Sequence, residues 1–303
     1  MPLSHLLLLW LICLAWAGNF LVSAAALLSL PPFLYTALRL LLVLLVLLPF
    51  LKAPAKGHWP RLVAVALLNG GLHFGLNFWA LRAAGDLSTV AIAMQVYVPM
   101  SVLLSVWLLG ERIGWRSSLA VAVSFGGILV LGLDPQVAQQ PLALALCLAS
   151  ALALALGSVL MRRLEGVDPF ALQAWGAVIS LPVMITASLA VEGDVLGHLR
   201  QAPMLAYGAA AYSALFASIF GHGLYFWLVR RHGVSAISPH LLLTPVLAVI
   251  LGVLFWGDRP GIRLLLGGAL VLGGVLGVAM RALARARPVS RPPACARWPE
   301  PSA

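Results

Sequence analysis

The sequence predicts an all-α integral membrane protein, with ten transmembrane helices arranged as two inverted five-helix repeats. Three observations carry this. First, 62% of the 303 residues are hydrophobic and only 9% are charged, with a mean hydropathy of +1.02, whereas soluble domains are about one-quarter charged. Second, the few charges leave gaps the length of membrane spans. Third, motifs built on Gly, Trp and Arg recur at a nearly constant offset. The composition excludes a water-soluble globule, and ten spans of about 20 residues leave space only for loops and a tail.

Stretches without Asp, Glu, Lys or Arg run 62–81, 87–110, 117–133, 135–161, 169–191, 201–229, 232–257 and 264–280. Each is long enough to cross a bilayer as a helix. The first 51 residues hold one charge, Arg39, and are too long for a single span. Pro31-Pro32 divides them, because proline ends a helix and disfavours helix in the residue before it. Met1–His5 carries no Lys or Arg and the apolar run exceeds a signal-peptide core, so the first helix is expected to be retained.

The repeat is explicit. Gly75-Leu76-x-Phe78-Trp79-x-x-Arg82-x-x-Gly85 returns as Gly223-Leu224-x-Phe226-Trp227-x-x-Arg230-x-x-Gly233, an offset of 148. Gly110-Glu111-Arg112-x-Gly114-x-Arg116 returns as Gly257-Asp258-Arg259-x-Gly261-x-Arg263, offset by 147, and Gly126-Gly127 as Gly273-Gly274. The expected units are 1–134 and 135–281, with 282–303 a disordered, basic, Pro-rich cytoplasmic tail. Five spans per unit make the halves insert upside down relative to each other, an arrangement suited to alternating access.

Orientation follows from the basic residues. With both termini cytoplasmic, 14 of the 19 face the cytoplasm, Lys52, Lys56 and the tail arginines among them. Arg82, Arg200, Arg259 and Arg263 face outward, and Arg39 lies inside the second span. This distribution, rather than nucleic-acid binding, accounts for the net charge of +10. Cys13, Cys147 and Cys295 suggest neither a disulfide framework nor a metal site.

Several of these features resemble the EamA-type transporters of the drug/metabolite transporter superfamily, over essentially the whole chain. They are Trp16-Ala17-Gly18-Asn19-Phe20, Pro32 followed by Arg39, Gly110-Glu111-Arg112, and Pro245 before Gly257-Asp258-Arg259 and a glycine-rich last helix. Asp258 stands where the family usually has Glu, with the charge kept. Asn19-Phe20, Gln95 and the Phe216–Tyr225 stretch leading to Pro239 and Pro245 resemble the O-acetylserine/cysteine exporters most. The resemblance implies export of amino acids or related small metabolites across the bacterial inner membrane.

Polar side chains inside spans are costly and usually face a cavity or a partner helix. Asn69, His73 and Asn77 share one face of the third span; Ser218, His222 and Tyr225 share one of the eighth. Trp16, Asn19, Gln95, Tyr97, Gln173, Trp175, His240 and Thr244 add polar or amphipathic groups from other spans. Spans 1–4 and 6–9 are therefore expected to line a substrate pathway, with 5 and 10 as a scaffold. The alternative role for these groups is hydrogen bonding between helices. Gly273-x-x-x-Gly277 is expected to pack within the monomer rather than across a dimer.

Arg39 is the one charge deep in a span and has no acid at comparable depth, so a substrate carboxylate is a candidate partner. Capping of carbonyls and snorkelling are the alternatives. Pro99 and Pro245 each remove a mid-span hydrogen bond and are candidate gating kinks. His73, His222 and His240 are candidates for proton coupling. Glu111-Arg112 and Asp258-Arg259 are read as helix caps or ion pairs. No His-Glu-x-x-His, Gly-x-Ser-x-Gly or paired intramembrane acids occur, which argues against an enzyme. The expected function is a carrier for a small molecule, with no cofactor. Aromatic neighbours such as Trp16, Trp79, Tyr97 and Trp175 leave a drug-like or aromatic cargo as the alternative, and a channel is the further rival.

Overall fold

The computed structural model describes residues 1–53, 57–164 and 167–286. Among them, ten apolar helices are long enough to cross a membrane. They are α1 (Leu3–Leu27), α2 (Pro32–Phe50), α3 (Trp59–Ala84), α4 (Leu87–Leu109) and α5 (Trp115–Gly132), then α6 (Pro141–Met161), α7 (Pro169–Val191), α8 (Met204–His232), α9 (Ser238–Trp256) and α10 (Ile262–Ala286). The last helix continues through 282–286. Lys56 and the rest of the expected tail, 287–303, lie outside the described residues.

The helix ends follow from local chemistry. Pro31 is extended and Pro32 opens α2, where its missing N–H costs nothing. Gly85, Gly110, Gly233 and Gly257 take φ of 67°, 70°, 80° and 84°. These repeated glycines are helix stops that a Cβ would strain. After Gly110 and Gly257 the chain folds back alike: Glu111 N–H donates to Ser105 O at 3.3 Å, and Asp258 N–H to Gly252 O at 3.0 Å.

Connections meet at two faces. On one, Glu192 after α7 bonds the start of α2, Trp256 donates to Gly85 O, and Arg263 donates to Leu133 O. We call this the odd face, because it carries the connections after odd-numbered helices. On the even face, Arg162 reaches Glu111, Trp175 donates to Lys52 O, and His5 pairs with His232. Consecutive helices therefore run in alternating directions. Gly110-Glu111-Arg112 lies on the even face and its counterpart Gly257-Asp258-Arg259 on the odd face.

The halves are interleaved. α2 packs on α7 and α5 on α10, while α3 and α4 pack on α6, and α8 and α9 on α1. Exchanging every helix for its repeat counterpart maps this set of pairs onto itself. The α5–α10 contact is backbone to backbone: a Cβ on Gly127 would stand 2.6 Å from Gly267 O and Val271 N. Gly277 meets Ala120 within the chain, but Gly273 has nothing within 4 Å, so only one glycine of that pair packs as expected.

Four helices depart from α geometry at matched places. α3 widens to π-helix over Ala66–Leu72 and α8 over Ser213–His222. α4 tightens to a 3₁₀ turn at Met94–Val96, α9 at Ser238–Leu242. The 3₁₀ turns stand just before Pro99 and Pro245, each of which lacks an N–H and crowds the carbonyl four residues back. Such interruptions within helices cluster at functional sites.

Candidate substrate pathway

Arg39 occupies the middle of α2 and is only 4% exposed. Its Nη2 donates to Ser218 Oγ at 2.7 Å, and Cζ lies 3.5 Å from the centroid of the Phe74 ring. Nε has no hydrogen-bond partner. Among the described residues no carboxylate pairs with it; the one ion pair found joins Arg162 to Glu111 at 3.1 Å. Arg39 thus neither snorkels nor caps a carbonyl. It is a buried cation held by one hydroxyl and an aromatic face, with donor capacity left over.

Around it the π segment of α8 is held from the first half. Ser218 Oγ donates to Ser213 O at 2.7 Å while accepting from Arg39, and Trp16 Nε1 donates to Ala217 O at 2.9 Å. His222 Nδ1 sits 3.1 Å from the same Ala217 O. Trp16 lies 5.2 Å from His222 and 5.8 Å from Tyr225, ring to ring. The structure therefore brings Trp16, Arg39, Ser218, His222 and Tyr225 into one neighbourhood.

Other predicted residues sit elsewhere. His73 faces α6, with Nδ1 2.9 Å from Ser150 Oγ, and Asn69 fills the notch that Gly157 leaves in α6. Asn77 is buried, and its Oδ1, like that of Asn69, is unpartnered. Gln95 turns back on Ala91 O at 3.4 Å, and Tyr97 begins the next α-helical stretch. Asn19 Oδ1 accepts from Ser23 at 3.5 Å. His240 and Thr244 lie near Cys13 of α1, with His240 Nδ1 and Thr244 Oγ1 unpartnered. Gln173 and Trp175 stand near the even face, where Trp175 packs edge-on to Trp59 at 4.9 Å.

Two neighbours of Arg39 escaped the sequence reading: Phe74 and Tyr35. Tyr35 shared a face with Arg39 at the i−4 position, a signal in plain view. Its hydroxyl bonds Ser23 at 2.9 Å.

On the odd face, carboxylates cross between the halves. Asp258, 7% exposed, accepts from Leu87 N–H at 3.0 Å, Ser88 N–H at 2.9 Å and Ser88 Oγ at 2.6 Å. Glu192 accepts from Phe33 N–H at 2.6 Å and Leu34 N–H at 3.0 Å. Both cap first-half helices whose opening N–H groups lack partners within the helix. Glu111, the counterpart of Asp258, is instead half-exposed on Arg162. The difference traces to the preceding helix. Gly252 has no Cβ and admits the Asp258 carboxylate, whereas the equivalent residue before Glu111 is Ser105. The caps and the ion pair weighed from sequence are thus both present, one per face.

Asp86, between α3 and α4, caps Thr89 N–H at 2.7 Å. Burial pushes its carboxyl above the ordinary range, against the lowering effect of that bond. Beside this turn, Phe33, Trp79, Arg82, Glu192 and His198 line a cavity of about 270 Å³.

A family model described as the EamA-like transporter family matches residues 3–133 and 141–280. The chain belongs to the EamA-like transporter family. It is a multi-pass membrane transporter rather than an enzyme, working in a lipid bilayer on a small-molecule substrate. A protein from Escherichia coli named a "probable amino-acid metabolite efflux pump" is 25% identical, over 88% of this chain and 91% of that one. A Streptantibioticus cattleyicolor protein named a "probable terminal-alkyne amino-acid exporter" is 26% identical, over 67% and 68%. A Pseudomonas aeruginosa relative reaches 35% identity over 93% and 96%. A crystal structure at 20% identity, covering 95% of this chain and 100% of its own, shares the fold with a TM-score of 0.60.

Proposed function

We propose that this chain is a secondary carrier exporting amino acids or related small metabolites across a bacterial inner membrane. Its halves, 1–134 and 135–281, work by alternating access as inverted repeats, in a monomer whose termini are both cytoplasmic. The names of the Escherichia coli and Streptantibioticus relatives support the cargo class, and the opposite faces of the two Gly-acid-Arg motifs support the inversion. On this reading the odd face is periplasmic.

Arg39 is the observation that carries the reading. A buried cation without a counter-charge costs several kcal/mol. A transient carboxylate from the cargo would supply the missing partner, bidentate on the planar guanidinium. Trp16, His222, Tyr225 and Phe74 would border the rest of the cargo, with Pro99 and Pro245 as gating kinks. Asn19, Asn69, His73, Asn77, Gln95, Tyr97, Gln173, Trp175, Ser218, His240 and Thr244 would line the way in and out. The aromatic rings beside Arg39 favour a second reading, an aromatic or drug-like cargo. Comparing metabolites in the medium of overexpressing and deletion strains separates the two. Arg39→Lys keeps the charge but loses the fork, so export of a carboxylated metabolite is expected to fall at normal protein level; unchanged export would sink the reading.

A further inference from the structure

We infer that Ser218 competes with the cargo for Arg39 and thereby couples cargo binding to the π segment of α8. This rests on the carboxylate reading of Arg39 and adds the route by which occupancy is communicated to a helix of the opposite half.

The hydroxyl of Ser218 has two neighbours and one proton. The proton goes to Ser213 O at 2.7 Å, and a lone pair accepts from Arg39 Nη2 at 2.7 Å. Both Ser213 and Ser218 belong to the π segment Ser213–His222. The carbonyl of Ser213 lies five residues back, so this bond staples the widened turn. A second first-half residue, Trp16, holds the same segment by donating to Ala217 O at 2.9 Å. The π segment is therefore tied to the first half at two points, and one of them is the guanidinium expected to receive cargo.

Both guanidinium edges that can take a carboxylate bidentately, Nε with Nη2 and Nη1 with Nη2, use Nη2, the nitrogen that now holds Ser218, so a carboxylate arriving at Arg39 draws it off that hydroxyl. The bond from α2 to α8 is then lost, leaving Trp16 as the remaining one of those two ties. The π segment becomes free to shift register toward α-helical pairing, which moves the part of α8 beyond it relative to α2. Ser218 is thus a positioning residue: it acts through Arg39 and the backbone of α8, without needing to touch the cargo.

The test pairs transport with hydrogen exchange. In proteoliposomes loaded with a radiolabelled amino-acid mixture, Ser218→Ala removes the competitor. The half-saturating load should fall about tenfold or more, the scale of one hydrogen bond to a charged group. Maximal efflux should fall as well, because occupancy no longer changes a bond to α8. Ser218→Thr, which keeps the hydroxyl, should restore both. A raised or unchanged half-saturating load in Ser218→Ala would overturn the inference. Amide exchange at 213–222 in cargo-free protein gives an independent arm. Both Ser218→Ala and Arg39→Lys should speed it, and unchanged exchange in Ser218→Ala would also overturn the inference. Absence of wild-type efflux with this mixture would count against the amino-acid reading alone, while the cargo-free arm still decides the role of Ser218.

Discussion

A single methylene difference in side-chain length, or none at all, separates roles that look alike in the sequence. Asp258 and Glu111 occupy matched positions, yet one is buried across three donors and the other half-exposed on Arg162. The glycine at 252, more than the shorter acid, makes the difference, by leaving the notch that the carboxylate enters. Asp86 allows a pH prediction at this scale. Its folded-state pKa is raised chiefly by burial, so the folded protein holds that proton to higher pH than the unfolded chain does. The associated stability is present in acid and is lost as pH rises through the folded-state pKa. Asp86→Asn keeps a capping oxygen and removes the titration. Its melting temperature in detergent should gain on the native protein's as pH rises from the acidic range to neutrality. Parallel curves would refute this.

At the scale of elements, the glycine pairs divide their labour. In Gly126-Gly127 and Gly273-Gly274 the second residue meets the partner helix, while the first has nothing within 4 Å. Gly127→Ala should therefore push α5 off α10 and destabilise by about 1–3 kcal/mol, as overpacking does. Gly126→Ala meets open space and should be neutral or stabilising by up to about 1 kcal/mol, the difference in helix propensity. Unfolding of both variants in detergent checks the pair; equal effects would mean that the contact is not a backbone one. The same spacing in sequence concealed this, because periodicity places a glycine on a face without saying what lies opposite. The π and 3₁₀ interruptions differ in legibility. Pro99 and Pro245 announce the latter, whereas no residue type announces the former in α3 and α8.

For the whole molecule, the bonds between connections sort the loops into two faces but do not say which is cytoplasmic. The proposed orientation rests on the basic residues, through the positive-inside bias. A cysteine at Gln139, exposed on the odd face, should react with an impermeant thiol reagent in intact cells once the native cysteines are replaced. One at Arg116, exposed on the even face, should react only after permeabilisation. The reverse pattern would invert the proposed topology. The buried Asp258 cap on the odd face contrasts with the half-exposed Arg162–Glu111 ion pair on the even face.

The sequence alone determined the number of helices and the internal duplication, and most helix ends to within a few residues, though the last helix runs on through 286. Charge is so costly in lipid that its absence marks a span, and proline and glycine act on the backbone locally. It also singled out Arg39, whose isolation from acids is visible along the chain. What it could not supply was the partner of each polar group. Asn69 and His73 share a face by spacing, but that face meets α6. Trp175 reads like Trp16, yet one bonds a loop carbonyl near the even face and the other holds the π segment of α8. Helical periodicity fixes the side on which a residue projects. Which helix, π turn or notch lies across from it depends on how the interleaved halves pack, and only the tertiary structure decided that.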